Sequence, residues 1–271
     1  MKRVLVTGAA GGIGTWLRQT LRGRYRLRLS DIEPITDLGD GEEQIPADLT
    51  DAAAVRGLMD GVDGIVHLGG VSKEAPWEPI QAVNIGGTYN LFEAARAADV
   101  ERIVFASSNH AVGFYPRAQT IGADVTVRPD SRYGLSKVFG EALGALYADK
   151  YGRRVLCIRI GNVAEQPVDV RRLAIWVSPR DLTQLVVIGL EHPDLHYEIV
   201  YGMSDNARTW WDNANAYRLG YRPEDRSEDY AQEVLANAPP VSPTSLPDQM
   251  QGGDFTVVEV GGGAPRTGAD D

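Results

Sequence analysis

The first twenty residues constrain the fold more than any other stretch. Val4-Leu-Val-Thr-Gly8 is a short β-branched run that leads into Ala9-Ala-Gly11-Gly12-Ile13-Gly14 and then into the helical pattern Thr15-Trp-Leu-Arg-Gln-Thr-Leu21. A strand, a glycine turn and a helix in that order form the context in which such glycines cradle a pyrophosphate. Gly8 permits the tight turn. Gly11 lets backbone N–H groups approach the phosphates, and Gly14 lets the helix pack close to the strand. The positive end of the helix dipole then faces the anion.

The rest of the chain repeats the alternation. Strand-like runs lie near 3–7, 25–30, 43–46, 63–68, 102–107 and 154–160, and helical ones near 12–22, 51–59, 79–98 and 131–151. Ser178-Pro179 starts a further helix over 178–191, and Tyr197 to Tyr201 reads as a late strand. Continuous apolar strands separated by helices predict an α/β fold: a Rossmann-type doubly wound parallel sheet with helices on both faces. Residues 1–160 are expected to form the nucleotide-binding core. Residues 161–255 form a small C-terminal substrate-binding portion packed on it. The chain turns Pro/Gly-rich from about 237, and 256–271 is expected to be a disordered tail.

Asp31 ends the second strand about 20 residues past the glycine loop, where a carboxylate accepts hydrogen bonds from the adenosine ribose. It would repel a 2′-phosphate, and Ile32-Glu33-Pro34 supplies no cation to offset that. The cofactor predicted is therefore NAD. The other reading of Asp31 is a helix or turn cap. Asp48, after the third strand, is placed to meet the adenine amine, while Thr50 or Asp51 serves as the next helix N-cap. The formal net charge of -10 and the lack of a basic stripe argue against nucleic acid or anionic membrane surfaces as partners. The single cysteine, Cys157, lies in an apolar run, which fits a reducing cytoplasm. Glycines interrupt any signal-peptide core after Met1-Lys-Arg, and no apolar run is long enough to span a bilayer.

Tyr133-Gly-Leu-Ser-Lys137 places a phenol and an amine four residues apart on one face of a predicted helix. An ammonium lowers the pKa of a nearby phenol, so the pair is a plausible acid–base unit. With Gly8, Gly11, Gly14 and Asp31 in order ahead of it, the chain resembles the short-chain dehydrogenase/reductase superfamily over roughly 1–220, in its extended, epimerase-like branch. Asn84, in Val-Asn-Ile-Gly-Gly-Thr, matches an asparagine those proteins carry on the long central helix. The resemblance implies a catalytic serine at the end of the fifth strand, where Ser107 and Ser108 both stand and the pattern favours Ser108. A hydroxyl there faces the crevice in which open α/β sheets bind ligands.

A closer resemblance rests on Gly-Gly-Val-Ser72, Ser-Ser-Asn-His110, Arg-Ile-Gly161, Arg171 with Trp176, Trp210-Trp-Asp-Asn213 and Gln251-Gly-Gly-Asp-Phe255. This set looks like the uronate dehydrogenases, and it extends to about residue 255. The resemblance implies oxidation of C1 of glucuronate or galacturonate by NAD, giving an aldarolactone, with a uronic acid as the small-molecule partner and no metal. It implies Tyr133 as base, Ser108 as the group orienting the reacting oxygen, and Lys137 as the group lowering the Tyr133 pKa. Cofactor contacts follow from Gly8, Gly11, Gly12, Ile13 and Gly14, then from Asp31, Asp48, Leu49, Leu68, Gly69 and Gly70. Tyr133, Lys137 and Asn162 complete that set. Arg171 is implied to bind the C6 carboxylate, and Ser72, Ser108, Asn109 and His110 the ring hydroxyls, with Tyr133 and Asn162 also touching the sugar. Asn162 departs from the family, where a small serine-like residue is expected. Trp210 and Trp211 read as packing residues, and a homo-oligomer is compatible with the chain.

Two other classes share these residues in part. An NAD-dependent nucleotide-sugar epimerase or dehydratase has the same core but usually a larger C-terminal domain, and only about 100 residues follow the sixth strand here. A non-enzymatic NAD(H)-sensing regulator on this fold has no need for Tyr133 and Lys137 together.

Overall fold

Successive residues of each central strand face opposite sides of the sheet, and both sides are apolar. The computed structural model describes residues 1–239, 242 and 244–259. In chain order the core is β1 (Arg3–Thr7), α1 (Gly12–Leu21), β2 (Arg26–Ser30), β3 (Glu42–Gln44), α2 (Ala52–Gly57) and β4 (Gly64–His67). There follow a single turn α3 (Trp77–Pro79), a wide turn over Ile80–Gly87, α4 (Thr88–Ala97), β5 (Arg102–Ser108), α5 (Arg132–Tyr151) and β6 (Arg154–Ile160). The chain continues through β7 (Asn162–Val163), α6 (Arg172–Ile175), β8 (Trp176–Val177), α7 (Pro179–Glu191) and β9 (Tyr197–Gly202).

Seven strands form one parallel sheet in the order β3-β2-β1-β4-β5-β6-β9, and β7 pairs with β8 in a separate parallel ladder. Val4, Val6, Val104, Leu156 and Ile158 pack with α1 and α7 through Leu17, Leu21, Leu182 and Leu185. The alternate residues Leu5, Ile65, Ile103, Phe105, Val155 and Cys157 pack on the other face with Leu91, Phe92, Leu143 and Tyr147 of α4 and α5. The doubly wound sheet expected from the apolar runs is therefore the one observed.

The expected helix over 79–98 differs in detail. It begins at Trp77, and its first part, Ile80–Gly87, has wider π-type turns before regular α-helix starts at Thr88. The packing shows why this stretch is glycine-rich: a Cβ at Gly87 would lie 2.7 Å from Leu49 Cβ. The wide turns carry Asn84 to the loop after β4, where Val71 N–H donates to its Oδ1 at 2.7 Å. Asn84 Nδ2 donates to Val71 O at 2.9 Å and to Ser136 Oγ of α5 at 3.0 Å.

The C-terminal portion adds α8 (Ala214–Arg218), α9 (Glu228–Ala236), α10 (Leu246–Gln249) and a 3-10 turn at Gly253–Thr256. It has an apolar cluster of its own, in which Trp211 stacks on Tyr201 at 4.7 Å and Trp210 is buried. Both tryptophans are packing residues, as expected. The tail expected from 256 starts inside ordered chain: Thr256 is buried and its hydroxyl donates to Gly253 O at 2.7 Å. Residues 260–271 lie outside the described residues. Among the described residues, no helix is long and apolar enough to cross a membrane.

Gly14 tests the closeness of α1 to the loop. A Cβ there would lie 2.5 Å from Gly8 O and 2.7 Å from Ala9 Cα, both backbone atoms. Gly14→Ala is expected to cost about 1–3 kcal/mol through forced displacement of the helix. Thermal denaturation should show Tm falling by several degrees; an unchanged Tm would contradict the packing.

Candidate active site

The parallel sheet diverges between β1 and β4. From β1 the chain winds outward through β2 and β3, and at β4 it returns to wind the other way. Such a switch point leaves an open crevice at the carboxyl ends of the strands. Gly8 adopts φ +68°, and a Cβ on it would sit 2.7 Å from Gly69 N. Gly11 is the N-cap of α1 and offers no side chain to the helix end, so the first-turn N–H groups stay available to a ligand. A cradle that any Cβ would fill, below an uncapped helix N-terminus, fits a dinucleotide pyrophosphate.

A crevice of about 970 Å³ runs along this edge and is lined by the glycine loop, Asp31, Asp48, Leu49, Leu68, Gly69, Gly70, Lys137 and Asn162. Asp31 holds the loop in place: Oδ2 accepts from Ala10 N–H at 2.9 Å and Oδ1 from Glu33 N–H at 3.1 Å. It is a turn cap and a crevice residue at once, and each oxygen keeps a lone pair. Asp48 lies exposed on the rim, with Oδ1 accepting from Thr50 N–H and Oγ1, each at 2.8 Å. These bonds hold its carboxyl below the usual range. The N-cap of α2 is Asp51, not Thr50.

Tyr133 and Lys137 lie on the first turns of α5. Ser131 Oγ caps this helix by accepting from Gly134 N–H at 2.9 Å, and the carboxylate of Glu74 accepts from Tyr133 N–H at 3.1 Å. Lys137 Nζ donates to Ala106 O at 2.8 Å and stands 5.5 Å from the centre of the Tyr133 ring. Ser108 lines the crevice beside Tyr133, and its Oγ accepts from His110 N–H at 3.2 Å. Ser107, on the opposite face of β5, donates instead to Glu141 at 2.6 Å. Strand alternation thus separates the two serines and brings Ser108 to Tyr133. Arg159 also faces away, bound at Nε and Nη2 to Glu141 at 2.9 and 3.0 Å, so of the segment Arg159–Asn162 the arginine does not reach the site.

Burial sets the titration of the pair. The buried Tyr133 phenol is pushed up to about 12 by desolvation, against the lowering effect of Ser108 and together with the charge of Asp130. Burial likewise pulls Lys137 down to about 8. For the phenol, desolvation is the largest effect.

A second cavity, of about 570 Å³, opens beyond Tyr133. Ser72, Ser108, Tyr133, Gly161 and Asn162 line both cavities, so the two meet at the Ser108–Tyr133 pair. Arg171 forms the far wall. Its Nε and Nη2 donate to Gln251 O at 3.0 and 2.8 Å. With the Asn109 amide turned so that both its ends are matched, Nη2 also donates to the Asn109 oxygen at 3.0 Å and the Asn109 nitrogen donates to Ile160 O at 3.2 Å. Asn109 thus helps hold Arg171, and it also lines the cavity. Among the described residues Arg171 has no ion-pair partner, and burial, with Arg117 and Arg172 beside it, lowers its pKa to about 10. Arg172 is paired with Asp169. Asp169, Asp248 and Asp254 also line the cavity, but none of them forms an ion pair with Arg171. His110 completes it, stacked on Phe255 with ring centres 3.7 Å apart.

Several residues reach the site without having been singled out in the sequence. Arg117 lines the second cavity and donates to Met250 O and Pro247 O at 3.1 and 2.8 Å. Asp130 accepts from His110 Nδ1 at 2.7 Å. Glu74 anchors both Tyr133 N–H and Arg132. Phe255 belongs to a motif quoted above, but its stacking on His110 has no local signature. An acidic residue just ahead of the Ser131 cap was the one available signal for Asp130.

The fold and this site define an NAD dependent epimerase/dehydratase-type protein, and the model of the NAD dependent epimerase/dehydratase family matches residues 4–167. The chain belongs to that family and, within it, to the family of the uronate dehydrogenases. It is 48% identical over 259 residues to the uronate dehydrogenase of Pseudomonas putida, covering 94% of this chain and 96% of that one. The crystal structure of glucuronic acid dehydrogenase from Chromohalobacter salexigens is similar with a TM-score of 0.93 and 45% identity, covering 95% of this chain and 97% of the other. A tyrosine-to-alanine variant of uronate dehydrogenase from Agrobacterium tumefaciens, complexed with NAD, is similar with a TM-score of 0.91 and 44% identity, over 94% and 97% of the two chains.

The glycine cradle yields a binding prediction. Gly8→Ala brings both a disfavoured φ and a 2.7 Å contact with the β4 loop. NAD affinity, measured by calorimetry, is expected to fall at least roughly tenfold, the equivalent of about 1.4 kcal/mol. Equal affinity would remove the loop from the cofactor site.

Proposed function

We propose that this chain oxidises C1 of a hexuronic acid, glucuronate or galacturonate, with NAD, giving the aldarolactone. The observation that carries the reading is the meeting of two cavities at Ser108 and Tyr133, with a buried guanidinium lacking a carboxylate partner on the far wall. In a pyranose uronic acid, C5 and the ring oxygen separate the C6 carboxylate from C1. A carboxylate paired with Arg171 leaves C1 directed toward Tyr133. The named relatives are uronate and glucuronic acid dehydrogenases, which supports the same substrate class here.

The crevice residues hold the cofactor. Gly8, Gly11, Gly12, Ile13 and Gly14 meet the pyrophosphate, and Asp31 the adenosine ribose. Asp48 and Leu49 flank the adenine, Leu68, Gly69 and Gly70 line the path between, and Asn162 faces the nicotinamide amide. When bound there, NAD would supply the two-electron oxidant for the hydride lost from C1. Tyr133 accepts the proton of the anomeric hydroxyl, and the C1–O bond becomes the lactone carbonyl. Ser108 donates to that oxygen and orients it. Lys137 holds the nicotinamide ribose and adds positive charge near the phenol. Ser72 and His110 meet ring hydroxyls, and Asn109 acts by holding Arg171. The free, buried Cys157 is in keeping with work in a reducing cytoplasm.

Mixing the protein with NAD and glucuronate, galacturonate or UDP-glucose, and following NADH absorbance, tests the reading. NADH is expected with the free uronic acids and not with UDP-glucose; no NADH with any free uronic acid would overturn it. Tyr133→Phe should lower kcat by roughly 10²–10⁴-fold while the fold persists. The wild-type rate should rise with pH, because the base form of Tyr133 is the active one. Arg171→Ala should raise KM for uronates by roughly 10–100-fold, about 1.4–2.8 kcal/mol, and leave NAD binding nearly unchanged. Equal losses in both would remove its carboxylate role.

A further inference from the structure

Asp130 is a buried carboxylate beside the substrate cavity that no step above uses. Its Oδ2 accepts from His110 Nδ1 at 2.7 Å, and its Oδ1 from the Ser131 hydroxyl at 2.8 Å. Its own N–H donates to His110 O at 3.2 Å. The slot around it is shaped by absent side chains. A Cβ at Gly113 would lie 1.8 Å from Oδ2, one at Gly252 2.0 Å from Oδ2, and one at Gly134 3.2 Å from Oδ1. Three separate segments leave room for this carboxylate and for little else.

The His110 ring is held as firmly. Phe255 stacks on it at 3.7 Å with planes 23° apart, and Tyr133 meets it edge-on at 5.8 Å. A carboxylate oxygen accepts hydrogen bonds and does not donate them, so the imidazole nitrogen facing Asp130 must carry a hydrogen. Among the described residues Nδ1 carries the ring's hydrogen bond, Nε2 has none, and the ring lines the cavity.

We propose that Asp130 is a positioning residue that fixes His110 as its Nδ1–H tautomer, so that the neutral ring presents Nε2 to the sugar as an acceptor. The ligand in this proposal rests on the uronate reading. The polarity matters because of what stands beside it. Arg117 and Arg171 can only donate, and the Asn109 oxygen already accepts from Arg171. A ring hydroxyl entering this wall brings a hydrogen that needs an acceptor, and burying it without one is costly. An Nε2–H tautomer would set donor against donor at that position.

The test reads the tautomer directly, without sugar or NAD. The chain has four histidines, so ¹⁵N-histidine NMR can resolve each ring, with His110 assigned by the loss of its signals in His110→Gln. At a pH above the ordinary histidine range, the wild-type ring is expected to be protonated at Nδ1. In Asp130→Ala it should relax toward Nε2–H, the form favoured by a free imidazole. The same variant should raise KM for glucuronate roughly tenfold, on the scale of one mismatched hydrogen bond, with NAD affinity unchanged. An Nε2–H ring in the wild type, or an Nδ1–H ring that persists in Asp130→Ala, overturns the proposal. So does an equal loss of NAD and uronate affinity. If the variant does not fold, the wild-type spectrum still decides. Absence of NADH with the wild-type enzyme would instead sink the uronate reading and leave the tautomer result standing.

Discussion

The structure depends on the close approach of two backbones, at Gly8 after β1 and Gly69 after β4. A side chain at Gly8 would fall 2.7 Å from the Gly69 nitrogen. These two strands are where the parallel sheet changes its winding direction, so the crevice exists because of topology, and its floor exists because both backbones are bare. A buried hydrogen-bonded set fixes the approach from below. Thr7 Oγ1 accepts from Gly69 N–H at 3.2 Å and pairs with His67 Nδ1 at 2.7 Å, and His67 Nε2 reaches Thr88 Oγ1 at 3.1 Å. Burial, with Lys137 nearby, pulls His67 down to about 3, which keeps its ring neutral. The fold thus carries its polar core groups directly under the place where it needs the least side-chain bulk.

The second cavity is governed by charge. Most arginines here meet a carboxylate, as Arg18, Arg28, Arg132, Arg159 and Arg172 do. Arg171 is bound at Nε and Nη2 by carbonyl and amide oxygens and, among the described residues, forms no ion pair. A buried cation left unpaired is unfavourable unless something anionic arrives. The C-terminal segment contributes to this state, since the Gln251 carbonyl holds Arg171 while the Gln251 side chain is tied to Trp211, Pro116 and Gln119. The segment is a fixed wall of the pocket.

Legibility in the sequence followed distance along the chain. The glycine loop and the Tyr133/Lys137 pair are local patterns whose meaning depends on a flanking strand or helix, and the alternation of apolar runs predicts those elements well. The parallel sheet was legible for the same reason. Asp130, Glu74, Arg117 and Phe255 reach the site through tertiary contacts, Glu74 to Tyr133 across 59 positions and Arg117 to Met250 across 133. Apart from the place of Asp130 just ahead of the Ser131 cap, no local rule marks them. Arg159 and Asn109 were legible as polar residues at strand ends but not in direction. Strand alternation turns Arg159 to Glu141, and the proximity of Arg171, visible only in three dimensions, engages the Asn109 amide.

Tyr133 shows how the two cavities depend on each other. Its burial is what allows a sugar hydroxyl to meet it away from bulk water, yet the same burial raises the phenol to about 12. Lys137 Nζ stands 5.5 Å from the centre of the Tyr133 ring, and the same burial works against its own charge. Positive charge on the crevice side of Tyr133 would favour the ionised phenol and, by linkage, would itself bind more tightly beside it. The base form of Tyr133 is therefore tied to what the crevice holds.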